Sequence, residues 1–147
     1  MDDVWKGLTL LIGGGVGYVA YQQFSLARER FKLDLFEKRF TVFAAARTLL
    51  SVVLRDADAP LDRVFEYRAA VGHATFLFDS DITSYLDEID RKAVRLHFTM
   101  QRMAERPVVA DHHKVIEENH QLLTWLTDQL PELKGRFEPY LKFRTWK

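Results

Sequence analysis

The sequence predicts an all-α protein: an N-terminal transmembrane helix continuous with the first helix of an antiparallel four-helix cytoplasmic bundle, plus a short C-terminal helical segment. Three observations lead there. Residues 4–21 form one long apolar run, the rest of the chain places apolar side chains at steps of three and four, and no alternating strand pattern occurs anywhere. The 147 residues are 48% apolar and 29% charged, sum to zero net charge and include no cysteine. That balance carries no electrostatic footprint for nucleic acid, and the missing cysteines exclude disulfide staples and thiolate chemistry.

The predicted span comes first. No charged residue lies between Lys6 and Arg28, and Thr9 is the one polar side chain in residues 8–20. A helix of about 20 residues crosses the hydrocarbon core of a bilayer, and residues 5–24 supply that length. Trp5 stands at one edge and Tyr18, Tyr21 and Phe24 at the other, where amphipathic rings favour the headgroup level. Residues 1–24 are therefore expected to be a transmembrane anchor, and residues 25–147 a cytoplasmic helical bundle.

Competing readings of this run are weaker. The start Met1-Asp2-Asp3 lacks the basic beginning of a secretory signal peptide. Residues 15–20 fit the dinucleotide pattern G-x-G-x-x-A, yet the strands such a fold needs do not follow. Arg28, Arg30, Lys32, Lys38 and Arg39 follow the run while Lys6 alone precedes it, so the positive-inside rule puts the C-terminal part in the cytoplasm. Gly13 and Gly17 form G-x-x-x-G, a smooth face for helix association, and a homo-oligomer through this helix is expected.

Past the span, residues 25–55 contain neither proline nor glycine. Leu26, Leu33, Phe36, Phe40, Phe43, Leu50 and Leu54 define a seam expected to face the bundle core, interrupted by Arg47. Arg47 should reach solvent or a carboxylate, since a buried unpaired charge is costly. A turn at residues 56–60 precedes a second helix predicted over 61–78. Asp79-Ser80-Asp81 caps a third, whose seam is Ile82, Leu86, Ile89, Ala93, Leu96, Met100 and Met103.

Pro107 ends that helix. The fourth is expected to bury Ile116, Leu123, Leu126 and Leu130, with His112 and Asn119 as polar seam positions, and to stop at Pro131. A short helical segment over 132–147 then interleaves Phe137, Tyr140, Phe143 and Trp146 with cations. Up-down-up-down topology returns this tail to the membrane-facing end. Tyr140, Phe143, Arg144, Trp146 and Lys147 are the candidates for contact with lipid headgroups.

Chemistry-bearing clusters are few. His113, Glu117 and His120 share one helix face and include an E-x-x-H spacing, but no second E-x-x-H accompanies it, and the trio points away from the expected apolar stripe. His73 and His97 stand alone. No G-x-S-x-G elbow occurs, and the carboxylates Asp79, Asp81, Asp87, Glu88 and Asp90 fit a cap and a helix exterior. No catalytic residue, metal site or cofactor site is expected; a metal-binding or hydrophobic-ligand protein, the latter with a pocket at Phe36, Phe40 and Phe43, is the alternative.

The juxtamembrane run F-K-L-D-L-F-E-K-R-F-T-V-F over residues 31–43, together with residues 76–86 and 137–141, resembles small bacterial proteins of unassigned function with one N-terminal span and a helical cytoplasmic part. The resemblance implies a bacterial inner-membrane location and supplies no substrate. The combined expectation is a membrane-tethered interaction or assembly module, with the lipid bilayer and an unidentified protein as partners.

Overall fold

The computed structural model describes the backbone of residues 2–105 and 109–142, and the side chains of residues 18–105 and 112–142. Four α-helices and one short 3-10 turn follow one another: α1 (Asp2–Asp56), α2 (Leu61–Val71), the turn Ala74–Phe76, α3 (Ser80–Ala104) and α4 (Val109–Leu141). No strand occurs among the described residues. The chain divides into two compact units, Met1–Leu35 and Phe36–Lys147. The first is the N-terminal part of α1 alone. In the second, the remainder of α1 joins α2, α3 and α4.

The expected continuity of α1 through residue 25 is present. Its inward face differs from the expected seam. Of the expected seam Leu50 is buried, Phe36 and Phe43 are half-buried, and Leu26, Leu33, Phe40 and Leu54 are exposed, while Val42, Ala46, Leu49 and Val53 form the rest of the buried face. The reason is geometric. The buried face is centred about a third of a turn from the expected seam, with Leu50 at the edge common to both.

α1 ends where Ala57 adopts a left-handed conformation (φ 54°) and its N–H reaches back to the Val53 carbonyl. Asp58 then accepts the N–H of Ala59, and Pro60 precedes the first residue of α2. α2 is shorter than the predicted 61–78 because it stops at Val71, before Gly72 and His73. Glycine is a poor helix residue, and the 3-10 turn that replaces the last predicted turns brings both Ala74 and Phe78 into the core. Asp79 caps α3 as predicted, its Oδ1 accepting the Ile82 N–H at 3.2 Å.

α3 is the central helix, packing most closely on α4 and then on α2. Its buried seam of Ile82, Leu86, Ile89, Ala93 and Leu96 is the expected one, but Thr99 rather than Met100 completes it. Thr99 donates to the Leu96 carbonyl and accepts from Asn119 of α4 at 3.0 Å, so the two buried polar groups satisfy each other. Tyr67 on α2 donates to the Leu86 carbonyl from a buried position, and Arg68 grips Asp90 with two bonds of 2.7 and 2.8 Å.

α4 corrects two expectations. Its inner stripe is Val115, Asn119, Leu122, Leu126, Gln129, Leu133 and Phe137, so Ile116 (40% exposed) and the half-buried Leu123 and Leu130 fall outside it. The helix also does not stop at Pro131: it continues through Pro131 and Pro139 to Leu141, making the separate C-terminal segment part of α4. A proline within a helix forfeits one hydrogen bond. Burial of Leu133 and Phe137 beyond it outweighs that loss.

Among the described residues, no helix is long and apolar enough to cross a membrane. The predicted span, residues 4–21, falls largely on residues 1–17, whose side chains lie outside the described set.

Candidate interaction surfaces

Three surfaces stand out on the described residues. The first is the part of α1 in the N-terminal unit. Among the described residues 18–35 the apolar side chains are spread around the helix, and no second element belongs to this unit. Tyr18, Tyr21, Phe24 and Phe31 are 65–73% exposed. Val19, Leu26 and Leu33 are exposed to nearly equal extents of 53, 54 and 51%. Exposed apolar area on this scale normally marks an interaction surface. Gly13 and Gly17 lie within helical backbone, and their packing lies outside the described residues.

A second surface is the end of the bundle where α1 enters the second unit. Arg39 is placed there by α1, its Nε donating to the Leu77 carbonyl at 3.0 Å and its Nη1 to the Tyr140 carbonyl at 3.3 Å. The guanidinium also lies over the rings of Phe78 (5.8 Å) and Tyr140 (5.5 Å). Partial burial lowers its pKa, with Tyr140 opposing. The Tyr140 hydroxyl donates to Asp79, which pushes the phenol up to about 12 and holds the Asp79 carboxyl below its usual range, helped by the Ile82 N–H. Arg39, Phe78, Asp79 and Tyr140 thereby lock α1, α3 and α4 together. The sequence marked Asp79 only as a cap and Tyr140 only as a lipid-facing ring; nothing in the spacing of residues 39, 79 and 140 announces their meeting.

Of the residues expected to touch headgroups, Tyr140 thus belongs to this lock, while Phe143, Arg144, Trp146 and Lys147 lie outside the described residues. Next to the lock, Phe43, Leu130, Pro131 and Leu141 floor an open groove of about 680 Å³ rimmed by Arg47, Lys134, Glu138 and Lys142. Arg47 is exposed, one of the two outcomes expected for it. Phe36, Phe40 and Phe43 touch in series, with centroids 5.8 and 5.9 Å apart, and Phe43 continues the series to Phe137 at 5.6 Å.

The third surface is the outer groove between α3 and α4. Lys92 sits 4.6 Å above the Trp125 ring, Arg136 lies 4.4 Å over Tyr85, and Arg95 pairs with Glu118. The Tyr85 hydroxyl is buried without a hydrogen-bond partner, and burial raises its pKa to about 12 against the opposing Arg136. Acids and bases alternate along the walls, with Asp81, Glu88 and Glu132 beside Arg91 and Arg136. Such mixed charge favours no single ligand sign.

His113, Glu117 and His120 all face solvent, about half a turn from the buried stripe of α4, and Glu117 accepts from Gln121 at 2.8 Å. No group of three or more potential metal ligands comes together among the described residues. His97 lies 3.3 Å from Asp58 and 3.1 Å from Gln101, tying the far end of α3 to the turn after α1.

The architecture defines the chain as an all-α helical bundle protein. No protein-family profile matches it, and neither a curated protein nor a solved structure does.

Proposed function

We propose that this protein is a membrane-tethered helical assembly module without catalytic activity of its own. In this reading residues 1–24 anchor it as a single-pass protein of a bacterial inner membrane, and the bundle stands in the cytoplasm. One observation carries the proposal: among the described residues of the N-terminal unit, Tyr18, Val19, Tyr21, Phe24, Leu26, Phe31 and Leu33 are half or more exposed, and exposed apolar area on that scale favours a partner. Exposing that area to water forfeits about 25 cal/mol per Å². A bilayer relieves it for residues up to about 24, where the uncharged run ends, and a protein partner relieves it beyond.

Continuity of α1 supports the assignment, since a helix shared by anchor and bundle couples association of one to placement of the other. The excess of Lys and Arg just after the run supports a cytoplasmic bundle. Gly13 and Gly17 offer one route to self-association within the bilayer, and the tail residues Phe143, Arg144, Trp146 and Lys147 offer cations and rings to headgroups.

The test is carbonate extraction of bacterial membranes carrying the full chain, with reporters fused in turn to either end. The chain is expected to remain in the membrane pellet, with the C-terminal reporter active only as a cytoplasmic marker. Release into the carbonate supernatant would overturn the anchor, and a periplasmic C-terminus would overturn the orientation.

A further inference from the structure

We propose that the outer groove between α3 and α4 holds a small zwitterion, a free α-amino acid with an apolar side chain, at Tyr85, Arg136 and Glu132. The site lies wholly within the second unit and does not rest on the membrane reading.

Tyr85 lines a cavity of about 610 Å³ in this groove. The residue is only 4% exposed, and its hydroxyl has no hydrogen-bond partner among the described residues. A hydroxyl buried in that way costs about 1–3 kcal/mol, so such groups are as a rule satisfied by something bound. Burial holds the phenol protonated, with Arg136 opposing and Glu132 and Glu88 assisting, so at neutral pH it has a proton to donate. An oxyanion of a ligand suits it.

Charge narrows the ligand. Lys92 pairs with Glu88 and Arg95 with Glu118, whereas Arg91, Arg136, Asp81 and Glu132 form no ion pair among the described residues. The cavity therefore presents two cations and two carboxylates that are not committed to each other. A purely anionic ligand would be opposed by Glu132 and Asp81, and a purely cationic one by Arg136 and Arg91. A molecule carrying both charges matches the set.

Glu132 and Arg136 stand four residues apart on α4, which puts them one turn apart on a single face and lets both reach one small molecule. The ligand carboxylate then accepts from the Tyr85 hydroxyl and from Arg136, which lies 4.4 Å over the Tyr85 ring, and the ligand ammonium donates to Glu132. The adjoining stretch of groove, about 560 Å³, shares Trp125 with this cavity and adds the buried Leu122. Those two side chains form the wall for an apolar side chain of the ligand.

The test is calorimetric titration of L-phenylalanine into the full chain in nonionic detergent, with empty micelles as the blank. Saturable binding at one site is expected, with a Kd below about 1 mM. N-acetyl-L-phenylalanine, which lacks the ammonium, and L-phenylalaninamide, which lacks the carboxylate, should each bind about tenfold more weakly. Arg136→Gln and Glu132→Gln, both at exposed positions, should each weaken L-phenylalanine about tenfold. Tyr85→Phe should weaken it about tenfold as well, while raising the melting temperature of the ligand-free chain by about 2–4 °C, because the unpartnered hydroxyl is removed and the ring is kept. No saturable binding below about 1 mM, equal affinity for either derivative, or unchanged affinity in any of the three variants would overturn the proposal. A lower melting temperature for Tyr85→Phe would overturn it too, since the hydroxyl would then be satisfied without a ligand.

Discussion

Tyr140 and Asp79 show how one side-chain pair joins distant parts of the chain. The phenol must be neutral to donate and the carboxylate ionised to accept most strongly, so each holds the other in that state. Asp79 has a depressed pKa in the folded chain, so its contribution is present above the ordinary carboxylate pKa of 3.8 and is lost as pH falls through the lower folded value. Tyr140 has a raised pKa, so its contribution is complete below 10.0 and is lost as pH rises through about 12. Thermal melts of wild type and Tyr140→Phe should therefore differ at neutral pH and converge at both extremes. A difference that persisted unchanged below the folded Asp79 pKa would show that the hydroxyl acts through something other than the ionised carboxylate.

α4 is the element in which local preference and packing disagree most. Pro131 and Gly135 both disfavour a helix, and the helix persists because Leu126, Leu133 and Phe137 are fully enclosed around them. A Cβ at Gly135 would meet nothing within 4 Å, and its backbone is not left-handed. Gly135→Ala should thus stabilise the chain by about 0.5–1 kcal/mol, through the lower entropy of the unfolded state. Pro131→Ala should restore the missing backbone donor and add about 1–3 kcal/mol. Urea titrations of the full chain would measure both, and a lower midpoint for either variant would mean that α4 depends on the irregularity. α1 carries the opposite lesson. Within residues 36–56 the bundle encloses Val42, Ala46, Leu49, Leu50 and Val53 and leaves Phe40 and Leu54 exposed, although the latter two belong to the more regular apolar seam.

At the scale of the whole molecule, the second unit has a core, while none of the described side chains of the first unit is buried. Hydrogen exchange reads that difference directly, because a helix held only by its own bonds opens locally while enclosed helices open with the whole domain. In detergent at concentrations that keep the chain monomeric, amides of residues 25–35 should exchange fastest among the helical residues. Those of 42–53, 82–99 and 122–137 should be slowest. Protection of 25–35 equal to that of the enclosed helices would contradict that difference.

The all-helical class, the Asp79 cap, the α3 seam from Ile82 to Leu96 and the turn before Pro60 were all legible in residue spacing, because each depends on neighbours within a few positions of the chain. Spacing also marked residues 4–21 as a candidate span. Choices between faces were not legible. α1 and α4 each carry more apolar positions than one face can hold, and which set is buried depends on the size of the side chains presented by the opposing helices. Packing chose Val42, Ala46 and Leu49 over Phe40 and Leu54, and Val115 over Ile116. Long-range convergence was equally hidden: Arg39, Asp79 and Tyr140 meet only because three helix ends coincide. Local patterning selects elements at the cost of a few residues' conformational freedom, whereas the buried face and the shared end are settled by close packing between elements, which no single stretch of sequence contains.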